Sequence, residues 1–207
     1  MNAVTVNASR SYNIYIENGL LARCGFYTKE CIGGQKAILV SDDQVAPLYA
    51  DAAVNSLSSA GYRVERYVIS HGEASKNAVE YIKLLEFLAA AHLTRTDVLL
   101  ALGGGVVGDL TGFAAATYLR GIPFVQIPTS LLAMVDSSVG GKTAIDLQGG
   151  KNLAGAFYQP YLVLCDPEVL RTLPQEYYHD GCAEIVKYGM IADNTLFCEL
   201  ERDGMHQ

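Results

Sequence analysis

The chain has 207 residues, half of them hydrophobic, and a formal net charge of −7 at pH 7. This length suits one large domain, or one domain plus part of another. The phosphate backbone of nucleic acid is bound through Lys and Arg, so an acidic chain predicts no nucleic-acid partner, although a local basic pocket can still bind a small anion.

Three further features of the sequence indicate where in the cell the protein resides. No stretch reaches the roughly 20 apolar residues of a membrane span, and the N-terminus lacks the charged start and apolar core of a signal peptide. The five cysteines are scattered and form no CxxC pair, which favours reduced thiols over disulfides or a metal cluster. We therefore expect a cytoplasmic protein with no membrane partner.

Short β-branched runs alternate with amphipathic stretches along the chain. Strands are predicted at 4–6, 12–16, 36–40, 62–69, 97–102, 123–127 and 161–165, and helices at 20–31, 45–60, 77–92, 106–119 and 131–137. From about residue 174 to residue 200 the chain becomes mostly helical. This pattern predicts an α/β fold with a parallel, Rossmann-like nucleotide-binding sheet over residues 1–170, followed by the start of an α-helical domain over 171–207.

A glycine-rich segment between a predicted strand and a predicted helix is the first candidate site. It runs from Gly103 to Asp109. Glycine lets the backbone approach a phosphate closely, and a helix N-terminus offers free N–H groups and a partial positive charge. The GxGxxG spacing is incomplete, because no acid follows ~20 residues on at a strand end. A pyrophosphate site and an ordinary strand-to-helix turn both stay open.

Polar residues also occur further along, in small, apolar, glycine-rich surroundings. They are Asp136, Lys142, Lys151, Asn152, Glu184 and Lys187. Surface lysines usually stand among other polar groups, so cations in this setting indicate a site for an anionic ligand. Each residue has a plainer alternative. Asp136 could be a polar helix end, Asp42 a helix cap, and Glu184 could form an exposed i,i+3 pair with Lys187, as could Glu73 with Lys76.

These blocks, in their order and spacing, resemble the 3-dehydroquinate synthase family of sugar-phosphate cyclases. The resemblance extends from about Asp42 to Lys187, and its most distinctive run is PTSLLAMVDSSVGGKT at 128–143. Two positions depart from the family pattern. Ser130 stands where a second threonine is more usual, and His71 stands where an aspartate often precedes the glycine.

The resemblance implies an NAD site. Asp42 and the loop from His71 to Lys76 would hold the adenosine part, and the Gly105–Asp109 segment would hold the pyrophosphate. The expected cofactor residues are Asp42, His71, Gly72, Glu73, Lys76, Gly103, Gly104, Gly105, Val106, Val107, Gly108, Asp109, Thr129, Ser130, Lys142, Lys151, Val169, Leu170, Arg171 and Thr172.

The resemblance also implies a small anionic sugar-phosphate substrate, a homodimer, and zinc or another divalent metal such as cobalt. The expected catalytic group is Asp136, Lys142, Asn152, Lys187 and Arg120. Arg120 would reach across the dimer interface to the substrate phosphate. Glu184 matches the metal-binding glutamate, and the family's two histidine ligands lie beyond residue 207. The chain is therefore expected to be an N-terminal portion that is inactive alone.

Members of this family convert DAHP into 3-dehydroquinate and phosphate in the shikimate pathway, which leads to the aromatic amino acids. Three alternatives stay open for this chain. It could belong to another sugar-phosphate cyclase, similar to 2-deoxy-scyllo-inosose or epi-valiolone synthase. It could be similar to glycerol dehydrogenase, which has a comparable GGG loop, or it could be a non-catalytic NAD-binding module.

Overall fold

The computed structural model describes residues 2–205. Its strands are β1 (Asn2–Asn7), β2 (Ser11–Ile16), β3 (Lys36–Asp42), β4 (Arg63–Ile69), β5 (Val98–Gly103), β6 (Phe124–Pro128), β7 (Lys142–Leu147), β8 (Gly150–Phe157) and β9 (Leu162–Cys165). Its α-helices are α1 (Cys24–Cys31), α2 (Ala46–Ser59), α3 (Ala78–Ala90), α4 (Gly105–Thr117), α5 (Gln175–Ile191) and α6 (Asn194–Asp203).

Seven strands form one sheet in the order β1-β2-β9-β6-β5-β3-β4. Strand β1 is antiparallel to β2, and all the other neighbours are parallel. Parallel strands are covered on both faces and read as continuous apolar runs, which is why the central strands could be predicted. The predicted α/β fold is confirmed.

The sheet separates two hydrophobic cores. Leu39 and Leu100 belong to the core under α1 and α2, whereas Ile38 and Leu99 belong to the core under α3 and α4. Successive side chains of a strand point to opposite faces, so each central strand contributes to both cores. The helices cover both faces of the sheet, so a ligand site is expected at its carboxyl edge.

Local sequence explains where the helices begin and end. Pro47 stands in the first turn of α2, where its missing N–H costs nothing. The side chain of Asn77 accepts hydrogen bonds from Val79 N and Glu80 N at the start of α3, as a helix cap does. After α2 the chain turns at Gly61, whose φ is +90°.

Asp166 joins the end of β9 to the segment that follows β2. Its Oδ1 accepts the Gly19 N–H at 3.0 Å, and its Oδ2 accepts the Leu21 N–H at 3.0 Å. Asp166 also caps the short helical turn Pro167–Thr172 by accepting the Glu168 N–H. One buried carboxylate thus secures three backbone donors that would otherwise be costly to bury.

Strands β7 and β8 form a separate antiparallel hairpin, which the sequence did not predict. The hairpin packs on α4, where a Cβ at Gly112 would lie 2.4 Å from Cγ2 of Thr143. Only glycine permits so close an approach. The hairpin matters for function because it carries Lys142, Lys151 and Asn152.

The chain after residue 174 is helical, as predicted, and forms α5 and α6 with a break at Ala192–Asp193. Whether residues 171–207 begin a second domain stays a prediction. In the described part of the chain, no helix combines the length and apolar character needed to cross a membrane. All five cysteines are free.

Candidate functional site

The carboxyl ends of β3, β4, β5 and β6 border a cleft of about 580 Å³. Ligands of open α/β sheets bind at this edge. Twelve of the residues expected to bind a cofactor line the cleft: Asp42, His71, Gly72, Glu73, Lys76, Gly104, Gly105, Val106, Asp109, Thr129, Ser130 and Thr172. The fold therefore brings together residues that are far apart in sequence.

The glycine loop lies at the N-terminus of α4. Gly104 occupies the cap position, and no side chain there accepts a hydrogen bond from the first turn. A Cβ on Gly104 would meet only Ser130 Oγ, at 3.6 Å. The backbone N–H groups of the first turn are thus open to an anion in the cleft, and the helix dipole favours negative charge there.

Two other glycines of this loop, Gly103 and Gly108, have packing roles. A Cβ on Gly103 would lie 2.6 Å from Val107, and a Cβ on Gly108 would lie 2.6 Å from Gln126. Val107 itself is buried in the core under α3 and α4. The cleft is therefore not lined by Gly103, Val107 or Gly108. These residues pack on the side of the loop that faces the protein interior.

Two aspartates shape the end of the cleft near β3 and β4. Asp42 Oδ1 accepts the N–H groups of Gln44 and Val45 at 2.9 and 2.8 Å, so this residue both makes the turn before α2 and lines the cleft. Asp43 Oδ1 accepts the backbone N–H of His71 at 3.1 Å and contacts its Nδ1 at 2.8 Å. The hydrogen bond from the His71 side chain lowers the pKa of Asp43.

A buried ion pair closes the floor of the cleft. Lys76 Nζ lies 2.6 Å from Asp109 Oδ2, and Lys76 is only 4% exposed. Burial raises the pKa of Asp109, and Lys76 offsets part of that rise. Glu73 pairs instead with Lys151 Nζ, at 3.3 Å. The i,i+3 pairing between Glu73 and Lys76 that the sequence left open is therefore not the arrangement in the structure.

A second cavity of about 520 Å³ adjoins the first and shares Asp109 with it. Three residues expected to meet the substrate line this cavity, namely Asp136, Lys142 and Asn152. Asp136 lies on a π-helical turn, Ala133–Ser137, a distortion that is frequent at functional sites. Its Oδ1 accepts the Tyr188 hydroxyl at 3.0 Å. Burial, and next the contact with Asp136, raise the pKa of Tyr188.

Several expected site residues lie outside both cavities. Arg120 is exposed on the turn after α4, with a φ of +67°. Val169 is buried, and its carbonyl accepts the Tyr49 hydroxyl at 3.0 Å. Leu170 and Arg171 flank it without lining the cleft.

The cleft also has a wall that the sequence did not predict. It is formed by Gln44, Val45, Leu48, Tyr49, Leu173, Pro174, Tyr177 and Asp180. The apolar i,i+3 spacing of Val45 and Leu48 is the one local signal that could have suggested it.

The donors for a metal ion are incomplete within residues 2–205. No group of three or more His, Cys, Asp or Glu side chains is arranged there to hold a metal. Glu184 forms an ion pair with Lys187, three residues further along α5. One carboxylate engaged by a lysine does not make a catalytic zinc site, which needs about three protein ligands. His206 lies outside the described residues.

The parallel sheet and the cleft at its carboxyl edge define an α/β protein of the nucleotide-binding class. The family profile described as "3-dehydroquinate synthase N-terminal" matches residues 66–180, which is more than half of the chain. The chain therefore belongs to the 3-dehydroquinate synthase family.

Individual relatives agree with this assignment. A 3-dehydroquinate synthase from Microcystis aeruginosa is 51% identical over 192 residues, which make up 93% of this chain and 52% of the relative. The chain thus spans about half the length of the curated relatives it matches.

Two solved structures share the fold over nearly the whole chain. 2-Deoxy-scyllo-inosose synthase complexed with carbaglucose-6-phosphate, NAD+ and Co2+ has a TM-score of 0.87 and 28% identity, covering 94% of this chain and 53% of that chain. 2-epi-5-epi-Valiolone synthase from Streptomyces hygroscopicus with NAD+ and Zn2+ bound has a TM-score of 0.86 and 31% identity, covering 97% and 55%.

Proposed function

We propose that this chain is the NAD-binding part of a 3-dehydroquinate synthase, the enzyme that converts DAHP into 3-dehydroquinate and phosphate. The observation that carries the proposal is the cleft at the uncapped N-terminus of α4, where Gly104 leaves backbone N–H groups open. Relatives about 50% identical bear this name, whereas the inosose and valiolone synthases are only 28% and 31% identical.

The cleft fits a dinucleotide. The first turn of α4 would hold the pyrophosphate, and the carboxylates of Asp42 and Glu73 would accept hydrogen bonds from ribose hydroxyls. Thr129 and Ser130 line the same cleft, and Ser130 lies beside the glycine loop. When bound, NAD would accept a hydride from the substrate carbon that bears a hydroxyl group, as that hydroxyl loses its proton, and would later return the hydride.

The second cavity is lined by polar groups that would meet a sugar-acid phosphate. Lys142 would offset negative charge on the substrate, and Asn152 and Asp136 would hydrogen-bond its hydroxyls. Because the two cavities meet at Asp109, a substrate in the second would lie next to a cofactor in the first. Lys187 is proposed to join this group from α5.

We retain Glu184 as a proposed metal ligand, with zinc or a similar divalent ion as the metal. Its carboxylate is engaged by Lys187, and the further donors would have to come from outside residues 2–205. The chain alone is therefore proposed to bind NAD without catalysing turnover. A homodimer in the cytoplasm, with Arg120 near the subunit interface, completes the proposal, and sedimentation would test the dimer.

Calorimetric titration with NAD tests the site. Gly104 has ordinary backbone angles and an open Cβ direction, so Gly104→Val should fold while blocking the pyrophosphate. Losing one hydrogen bond to a charged group, worth about 1.5–3 kcal/mol, should weaken binding about 10- to 150-fold. Gly33→Val is the matched control, because a Cβ there meets nothing within 4 Å. Equal NAD affinity in both variants would refute the site.

The substrate is tested on the longer protein, meaning a protein that contains this chain and has the full length of its curated relatives. DAHP should be turned over, whereas glucose 6-phosphate and sedoheptulose 7-phosphate should not. Turnover of either sugar phosphate in place of DAHP would assign the protein to one of the other cyclases. NAD binding by the longer protein without turnover of any of the three would favour a non-catalytic module.

A further inference from the structure

The hairpin contains a bulge opposite Asp146. Ile145 pairs with Ala154 and Leu147 pairs with Gly150, so Asp146 alone on β7 faces the three residues 151–153 on β8. Bulges often re-aim side chains next to functional sites. Here the extra residues include Lys151, which the family resemblance places at the cofactor, and Asn152, which the proposed function assigns to the substrate.

Asn152 has a left-handed backbone, with a φ of +56°. Residues with a Cβ adopt this conformation at a cost, although asparagine tolerates it better than most. The Asn152 N–H donates to Asp146 Oδ1 at 2.8 Å. The Asp146 carboxylate thereby satisfies a donor in the bulge and favours the turned backbone over an extended one.

Asp146 also contacts the loop at the cleft. Its backbone N–H donates to the carbonyl of Lys76 at 2.8 Å, and it forms an isolated parallel bridge with Asn77. The Lys76 side chain in turn pairs with Asp109, which both cavities share. Asp146 therefore lies between the loop that lines the first cavity and the turn that enters the second.

We propose that Asp146 is a positioning residue that sets the Lys151–Asn152 turn relative to the nucleotide cleft. Its backbone holds the hairpin against Lys76, and its carboxylate fixes Asn152. The fixed turn places Lys151 Nζ 3.3 Å from Oε1 of Glu73, a residue that lines the cleft. The effect of Asp146 on NAD affinity rests on the proposed function, whereas its effect on the conformation of the Lys151–Asn152 turn does not.

The test compares Asp146→Ala with Asp146→Asn, whose amide oxygen can still accept the Asn152 N–H. NAD affinity should fall about tenfold in the alanine variant, the equivalent of losing one charge-assisted hydrogen bond, and less than about threefold in the asparagine variant. Asp146 is only partly buried and lies outside the main sheet, so both variants should fold, which circular dichroism checks.

A double-mutant cycle separates positioning from a general loss of structure. Glycine adopts a positive φ without help, so Asp146→Ala should matter much less when Asn152→Gly is already present. Amide exchange at residue 152, followed by NMR without any ligand, should be slow in the wild type and in Asp146→Asn but fast in Asp146→Ala.

The outcomes are distinguishable. A wild-type chain that binds no NAD would sink the proposed function, and amide exchange alone would then decide the role of Asp146. Unchanged exchange at residue 152 in Asp146→Ala would overturn the inference. An equal loss of NAD affinity in Asp146→Ala and Asp146→Asn would also overturn it. So would an Asp146→Ala effect on NAD affinity that is the same in the wild type and in the Asn152→Gly variant.

Discussion

Breaking the buried ion pair beneath the cleft should destabilise the chain strongly. Lys76→Met removes the partner of Asp109 while keeping a long apolar side chain in place. Removing one partner of a buried pair typically costs about 3–5 kcal/mol. The Asp109 side chain is 19% exposed, so some solvent reaches it, and we expect a loss near the lower end, about 3 kcal/mol.

The loss should depend on pH in a defined direction. Burial already raises the pKa of Asp109, and without Lys76 nothing of comparable strength opposes that rise. A folded chain whose carboxyl has a raised pKa binds the proton more tightly than the unfolded chain does. Its stability therefore falls as the pH rises from the unfolded value, about 3.9, through the folded value. The cost of Lys76→Met should be larger at pH 8 than at pH 5.

Urea unfolding at both pH values measures these effects. Lys83→Met is the matched control, because Lys83 is 62% exposed and its ion pair with Glu80 is an i,i+3 surface pair. Such pairs are worth a few tenths of a kcal/mol. Equal losses in the Lys76 and Lys83 variants, or a Lys76→Met loss that shrinks towards pH 8, would refute this account of the pair.

Three further predictions concern other parts of the chain. A thiol-reactive dye should label Cys31 and Cys198 in the folded chain and the three buried thiols only after unfolding, since burial raises the pKa of each buried thiol and shields it; prompt labelling of all five would contradict this. Gly155→Ala should cost about 1–3 kcal/mol in urea, because a Cβ there would lie 2.1 Å from a backbone carbonyl oxygen of β7; wild-type stability would exclude the clash. Tyr188→Phe should cost about 1 kcal/mol by losing its hydrogen bond to Asp136; no change would show that the bond adds nothing.

The main sheet was predictable because its signals are local. The apolar runs at 36–40 and 97–102 correspond to β3 and β5, which are buried on both faces. The glycine loop could also be predicted from the sequence, because the strand, the glycines and the helix follow one another directly. The helix predicted at 131–137 includes a π-helical turn, a distinction that hydrophobic periodicity does not make.

The hairpin and the floor of the cleft could not be predicted in the same way. Strand β8 contains two glycines, Gly150 and Gly155, and the bulge at Asp146 interrupts the period of two on which strand prediction depends. The partner of Lys76 is Asp109, 33 positions along the chain. Nothing near Lys76 in sequence indicates that pairing, because it exists only once α4 has packed on the sheet.

The position of β9 between β2 and β6 has a consequence for synthesis of the chain on the ribosome. Gly19 and Asp166, whose contact secures the segment after β2, are 147 positions apart. At 5–20 residues per second, β2 emerges roughly 7–30 s before its parallel neighbour exists. An isolated two-stranded hairpin is marginally stable in water, so β1 and β2 would spend that interval without lasting structure. A chaperone that recognises unpaired strands could therefore bind β2 before β9 has been synthesised and pairs with it.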